Sequence, residues 1–529
     1  MDLLIRNANV ADGTGAPVYE ADIAVTGDRI SKIGKIEDSC PQVIDAAGRV
    51  VMPGIIDPHS HADIGLFDPE WAHQRIVQGI TTEITGHCGP SPAPNCPEQL
   101  DLLRHVYYEL TGGGRPFDWP FRDFAGWLDH VGKQKLSANY AFLVGHSTLR
   151  ICVMGKKTSQ AAPEEIQAMA GLLDKALSQG AVGLSLGLSY FPGAYAGTEE
   201  LLALAKVVKK HGAFIAAHRR DEGETCCESI AEMLHIARET GVRMNLSHVK
   251  VTGSNNWGKG KAVLEMIQKG LDEGLDLSMD AYPYTAGYTQ LYKIFPVTLW
   301  GEGPENMYRQ LKDPAIRRQL IDDVNAGRSG MVRLASTKGG ADGIQVIQCP
   351  NPAYDMKTLA QISREMGVEP VECAIRILEE CGDGVQMFCF LQDEAELDSI
   401  MRFPHTMVIS DGAPAGGHNH PRYMGAFALT LERYVKEQSV MTLEEAVKRM
   451  TFMPARRYGF HNRGVVKEGC KADLVVLDWE RFQCACTYEH PAGPSKGISY
   501  VLLGGKIAAR DGVYTHEGQG EILRAGALS

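Results

Sequence analysis

From residue 163 to 279 the chain repeats one unit: a helical run with one apolar face, a break, and a short apolar run. Pro163-Glu-Glu-Ile-Gln-Ala-Met-Ala-Gly-Leu-Leu-Asp-Lys-Ala-Leu177 places Ile166, Met169, Leu173, Ala176 and Leu177 on one helical face, and Ala181-Val-Gly-Leu-Ser-Leu186 follows. The same unit recurs as a helix over 198–210 before Ala213-Phe-Ile-Ala-Ala217, and over 228–239 before Val242-Arg-Met-Asn-Leu246. A further helix over 260–273 precedes Leu275-Asp-Leu-Ser-Met279. Short apolar strands alternating with helices imply a parallel α/β sheet, either doubly wound or closed into a (β/α)8 TIM-like barrel. With 529 residues, 44% of them hydrophobic, the chain can bury one large catalytic domain and a smaller one more readily than four small ones.

The two ends read differently from the middle. Leu3-Leu-Ile-Arg-Asn7, Ile23-Ala-Val25 and Ile30-Ser-Lys-Ile33 are short apolar segments broken by Asp12-Gly-Thr-Gly15 and Thr26-Gly-Asp-Arg29. Asp473-Leu-Val-Val-Leu-Asp478 and Tyr500-Val-Leu-Leu-Gly-Gly-Lys506 repeat that style. Neither end has enough strands to cover a core alone, so residues 1–52 and 461–529 are expected to build one small β-sandwich together. The barrel then occupies 53–286 and 351–460. Between them, 287–350 breaks the rhythm and reads as an insertion placed as a lid.

Composition removes several classes of partner. Lys plus Arg number 53 against 65 Asp plus Glu, a net charge of −12 with no basic block, which argues against nucleic acid. No stretch is long and apolar enough for a membrane span, and the first residues lack the form of an export signal. A soluble, cytoplasmic protein acting on a small molecule is expected, with its 13 cysteines mostly buried thiols. The oligomeric state is left open.

Chemistry is concentrated at strand ends. In Met52-Pro-Gly-Ile-Ile-Asp-Pro-His-Ser-His61 an apolar run ends in His59 and His61, which two-residue spacing on an extended segment points to one side. His218 closes the strand ending Ala216-Ala217, His248 closes Asn245-Leu-Ser247, and Asp411 closes Thr406-Met-Val-Ile-Ser410. Cys88 follows Ile80-Thr-Thr-Glu-Ile-Thr-Gly86. Singly, a histidine after a strand reads as a hydrogen-bonded structural residue, Cys88 as a buried thiol and Asp411-Gly as a turn. Together the six donors share the carboxyl rim where a parallel barrel builds its site, and they read as metal ligands.

Those positions resemble the amidohydrolase superfamily in order and context, and more specifically the N-acyl-D-amino-acid deacylases (D-aminoacylases). The resemblance is carried by Gly79-Ile-Thr-Thr-Glu-Ile-Thr-Gly-His-Cys-Gly89, Gly145-His-Ser-Thr-Leu-Arg150, Gly183-Leu-Ser-Leu-Gly-Leu-Ser-Tyr-Phe-Pro-Gly193, Asp280-Ala-Tyr-Pro-Tyr-Thr285, His420-Pro-Arg-Tyr-Met-Gly425 and Gly518-Gln-Gly-Glu-Ile-Leu-Arg524. It implies a barrel in which Cys88, His218 and His248 hold one zinc ion tightly, while His59, His61 and Asp411 form a second, weaker or empty site. It further implies Asp411 as general acid/base and Lys250, Tyr190 and Tyr282 as substrate-holding residues.

The implied reaction is metal-assisted hydrolysis of the amide of an N-acyl-D-amino acid, with no serine nucleophile assigned. Three other readings stand beside it. A cyclic-amide (hydantoinase- or dihydroorotase-type) or dipeptide hydrolase would share fold and metals, though such relatives usually bridge two metals with a carboxylated lysine, whose part Cys88 fills. A deaminase would need a His and Glu pair that has no evident place, and a non-catalytic scaffold predicts missing ligands. Some positions depart from the family pattern. Ala62 stands where an acidic residue is frequent and His87 where Asn is usual, read as a hydrogen-bond donor behind the ligands, and the insertion shows no family arginine. Substrate side chain, acyl group and strictness of D over L are not fixed by any motif.

Overall fold

The structure is a computed structural model describing residues 1–111, 117–300, 304–328, 330–414, 418–517 and 520–524. Residues 301–303 and 329 of the expected lid, and Gly518 and Gln519 of the C-terminal motif, lie outside the described residues.

Eight parallel strands form the frame of the site: Ile55–Asp57, Ile80–Thr85, Asn139–Phe142 continued by Val144–Gly145, Gly183–Gly187, Phe214–His218, Arg243–Leu246, Leu277–Ala281 and Thr406–Val408. Each pairs in parallel with the next, apart from the joint between the eighth and the first. Val182 donates its N–H to Phe142 O, and Ser60 forms a parallel bridge with Gly412 between the first and eighth strands. The ring is therefore closed, a (β/α)8 barrel rather than a doubly wound sheet. Helices Pro163–Ser178, Thr198–Lys210, Cys226–Thr240 and Gly260–Asp272 cover the strands they precede, and each turns a row of buried aliphatic side chains inward.

Both ends of the chain build one continuous sheet of nine strands. Leu3–Val10 lies at its centre, and Val50–Pro53 pairs antiparallel with Leu474–Leu477. The sheet folds back on itself, with Ile30 donating to Cys470 O and Ala472 to Asp28 O. It encloses Leu3, Ile5, Val10, Ile23, Val25, Val51, Leu474 and Val476. Chain continuity from Pro53 thus ties this unit to the amino end of the first barrel strand. Near the C-terminus Ile522 bridges to Tyr140 of the third strand.

Between the seventh and eighth barrel strands the chain makes a longer excursion than 287–350. Ala286–Gln290, Gln386–Phe390 and Ile344–Ile347 form an antiparallel sheet of their own, so Gln386-Met-Phe-Cys-Phe390 belongs to the insertion and not to the barrel. Its apolar run looks like a barrel strand in sequence, and only its partners distinguish it. No helix among the described residues is long and apolar enough to cross a membrane.

Candidate metal centre

The barrel's carboxyl rim brings all six candidate ligands together. Ligand atoms of His59, His61, Cys88 and Asp411 lie within 4.8 Å of one another, as do those of Cys88, His218 and His248, so Cys88 is common to both groups. The Cys88 sulfur is 3.5 Å from Nε2 of His59 and 3.5 Å from Nε2 of His248. Asp411 Oδ1 is 3.1 Å from His61 Nε2 and 3.4 Å from His59 Nε2.

Backbone conformation aims three of these side chains. Cys88, His248 and Asp411 have φ values of 59°, 35° and 48°, a left-handed region that costs a non-glycine residue on the order of 1 kcal/mol or more and clusters at functional sites. For Cys88 the surroundings explain how this conformation is accommodated. A Cβ on Gly187 would stand 2.0 Å from the Cys88 carbonyl oxygen, and one on Gly145 would stand 2.1 Å from that of Gly89. Only glycine at these two strand ends lets the Cys88 turn pack so closely.

The electrostatics suit a cation. Burial, reinforced by His248, holds the His218 imidazole well below its usual pKa, and burial with Lys250 lowers that of His248. Both rings are therefore neutral donors near pH 7. Burial would raise the Asp411 carboxyl, but Arg422 and His61 outweigh it and hold it well below the ordinary range. Burial, then Asp411, pushes the Cys88 thiol far up, so a thiolate here calls for a positive ion among these groups. His59 Nδ1 and His218 Nδ1 are buried without a hydrogen-bond partner among the described residues. Neutral imidazoles, a thiol and a carboxylate within this radius are the donor set zinc takes, and the residues fit that ion.

Two partners of the ligands were not legible as such in the sequence. Glu222, four residues after His218, places Oε1 3.0 Å from His248 Nδ1 and Oε2 2.8 Å from Lys250 Nζ. Burial opposes its ionisation, yet Lys250 and His248 keep its carboxyl well below normal. Arg422, within the His420-Pro-Arg segment, sets Nη1 2.7 Å from Asp411 Oδ2 and lies 4.7 Å from the centre of the Tyr282 ring. No periodicity marks either residue; only proximity in the folded rim does.

The remaining sequence candidates also reach this rim. Tyr190 stands edge-on to His218 at 4.7 Å between ring centres, and Lys250 lies 5.8 Å from the Tyr282 ring centre. Burial raises both phenol pKa values, so both are neutral hydrogen-bond donors. His87 departs from its expected part. It stacks on the His59 ring at 3.9 Å, and its two nitrogens have no hydrogen-bond partner among the described residues. The contact it makes with the ligands is therefore through the face of its ring. Gly183-Leu-Ser-Leu-Gly187 has the G-x-S-x-G form of a serine hydrolase, yet Ser185 is fully buried in the fourth barrel strand and donates to Gly86 O. It is no exposed nucleophile.

A cavity of about 390 Å³ adjoins the ligands, and the insertion supplies part of its wall: Tyr288, Pro296, Val297, Trp300, Val332 and Arg333 line it together with Lys250, Tyr190 and Tyr282. It has room for a small organic molecule and a mixed polar and apolar wall.

Comparison with known proteins agrees with this architecture. Residues 42–509 match the model of the amidohydrolase family. The chain is 34% identical to a D-aminoacylase of Alcaligenes xylosoxydans xylosoxydans, over 99% of this chain and 97% of that one. It is also 34% identical to an N-acyl-D-glutamate deacylase of the same organism, over 100% and 97%. A crystal structure of D-aminoacylase superposes with a TM-score of 0.83 at 33% identity, covering 99% of each chain. That of the Bordetella bronchiseptica N-acyl-D-glutamate deacylase, complexed with zinc and a phosphonate mimic of the tetrahedral intermediate, gives 0.82 at 32%, covering 99% of this chain and 100% of that one. With a closed barrel, a terminal β-sheet and a cysteine shared between two ligand groups, the chain is a member of the amidohydrolase family, in the branch of the D-aminoacylases.

Proposed function

We propose that this protein is a zinc-dependent N-acyl-D-amino-acid deacylase, cleaving the amide to a carboxylate and a free D-amino acid. The observation that carries the reading is Cys88 shared between the His218/His248 group and the His59/His61/Asp411 group, lining one cavity. Cys88, His218 and His248 would hold the tightly bound ion, and His59, His61 and Asp411 the weaker second one. Zinc, when bound, supplies Lewis acidity toward the scissile carbonyl and the attacking water.

The chain's own residues do the rest. Asp411, kept ionised by Arg422, takes the proton of the attacking water and returns it to the departing nitrogen, a role worth roughly 10² to 10⁴ in rate. Lys250 receives the α-carboxylate of the acylated amino acid, exchanging part of its pairing with Glu222 for the substrate. Tyr190, beside His218, and Tyr282, beside Lys250 and Arg422, are neutral donors that orient the amide and carboxylate. The insertion closes the cavity against water as a lid.

The test is amine release from N-acetyl and N-formyl amino acids of both configurations, beside hydantoins and dipeptides containing a D residue. Turnover of the N-acyl-D compounds at least 10-fold above their L counterparts supports the assignment. Preferential opening of hydantoins would move the activity to cyclic amides.

A further inference from the structure

Directly behind the ligand rim, on the barrel side, lies a fully buried polar network that the chemistry above does not use. Its centre is Arg75 in helix Pro69–Ile76, between the first and second barrel strands. One Nη2 hydrogen-bonds Asp57 Oδ2 and lies 3.3 Å from Ser410 Oγ, Nε donates to Glu83 Oε2 at 3.1 Å, and Nη1 donates to the carbonyl of Tyr423. The guanidinium also lies 4.8 Å from the centre of the Tyr423 ring. Arg75, Asp57, Glu83, Ser60 and Ser410 are all without solvent exposure.

Each group that Arg75 grips is linked to the site, Asp57 and Glu83 by hydrogen bonds and Ser410 and Tyr423 as chain neighbours of Asp411 and Arg422. Asp57 accepts the His59 N–H at 3.2 Å and the Ser410 N–H at 3.2 Å, and Ser410 Oγ donates to its Oδ2. Glu83 accepts from Ser60 Oγ at 2.7 Å, and Ser60 stands between His59 and His61. Ser410 precedes Asp411, whose N–H donates to His59 O at 2.9 Å, and Tyr423 follows Arg422, which pairs with Asp411. Among the described residues, the hydrogen bonds and ion pairs of Arg75 go to Asp57, Glu83, Ser410 and Tyr423, none of them on the segments that carry His218 or His248.

We infer that Arg75 is a positioning residue that fixes the His59-Ser-His61 turn, the Asp411 strand end and the start of the Arg422 helix in one frame, and so sets the second metal group and the proton-transferring carboxylate without touching substrate. A buried guanidinium suits that task because its planar fork bonds several acceptors at fixed angles, which a lysine ammonium does not. The inference rests on the two-group metal reading, and the experiment separates the two.

Metal-free wild type, Arg75→Lys, Ser410→Ala and, as a control, Arg449→Met are titrated with zinc against a chromophoric chelator, and kcat and KM are measured on the reloaded proteins. Arg449 is also buried and hydrogen-bonded to the carbonyls of Met401 and Phe403, on a helix after the eighth strand, so it reports general loss of stability. Ser410→Ala removes one hydrogen-bonding hydroxyl without unpairing a charge, and it decides the question should Arg75→Lys fail to fold. The expected result is a loss of at least 10-fold in the weaker zinc step and in kcat for Arg75→Lys and Ser410→Ala, with the tighter zinc step and KM within about 2-fold of wild type. Arg449→Met should leave both zinc steps unchanged even where it lowers Tm. A wild type that takes a single equivalent of zinc overturns the two-group reading and the inference with it. A wild type that takes two, with variants unchanged or weakened equally at both steps, overturns the positioning role alone.

Discussion

Glu222 Oε1 lies 3.0 Å from His248 Nδ1, on the side of the ring opposite Nε2, which is 3.5 Å from the Cys88 sulfur. A carboxylate at that position fixes the imidazole's orientation and makes its other nitrogen a better donor, and loss of such a partner typically costs about 10- to 100-fold in metal affinity. Glu222→Gln should therefore weaken the tight zinc by that factor while the protein stays folded. Competition against a chelator measures it, and unchanged affinity would leave Glu222 only as the partner of Lys250.

Cys88 belongs to both ligand groups, so its removal should be more severe than that of any one histidine. Cys88→Ala should purify folded, with unchanged circular dichroism, and with less than about a tenth of the zinc of the wild type. Full zinc content by elemental analysis would remove Cys88 from the ligand set.

Asp411→Asn keeps size and shape but cannot take a proton. A fall in kcat of at least about 10²-fold is expected, with the zinc held by Cys88, His218 and His248 retained. Near-normal turnover in this variant would place the proton transfer elsewhere.

Lys250→Met should act mainly on KM. A charge-assisted bond to the α-carboxylate is worth roughly 1.5 to 3 kcal/mol, so KM should rise about 10- to 150-fold with kcat falling much less. A variant that loses kcat while keeping KM would make the lysine part of the chemistry.

The inserted segment supplies one wall of the cavity, and its closure over substrate is testable by limited proteolysis. Cuts should concentrate between residues 286 and 391, and product or a slow substrate should slow them several-fold. Cutting at the same rate with and without ligand would describe a fixed wall.

How much of this was legible in the sequence depends on how local each signal is. The strand ends carrying His59, His218, His248 and Asp411 are marked by apolar runs that stop at a polar residue, a pattern one segment long. Cys88 could be placed for the same reason. Glu222, Arg422 and Arg75 have no such mark, because each matters through partners that only the fold brings near: Glu222 to His248 on the next barrel strand, Arg422 to Asp411 across the loop between them, and Arg75 to Tyr423 far along the chain. The insertion extends beyond its expected bounds for the mirror-image reason. Gln386–Phe390 has the composition of a barrel strand, and only its antiparallel pairing with Ala286–Gln290 and Ile344–Ile347 shows where it belongs. For His87 the sequence suggests a hydrogen bond, and what the fold adds is a contact through the face of the ring, stacked on His59.

The sheet shared by both ends of the chain sets the order in which the molecule can come into being. Pro53 finds its partner Leu474 only after roughly four hundred further residues have been made, and the first barrel strand must wait for Gly412 before the ring shuts. A ribosome-bound nascent chain that stops within the insertion still lacks Asp411 and Arg422, while its N-terminal strands stand open-edged. Such an intermediate has no working catalyst and offers unpaired strand edges to its neighbours. The same pairing that locks the finished enzyme therefore makes its late synthesis the interval most exposed to aggregation.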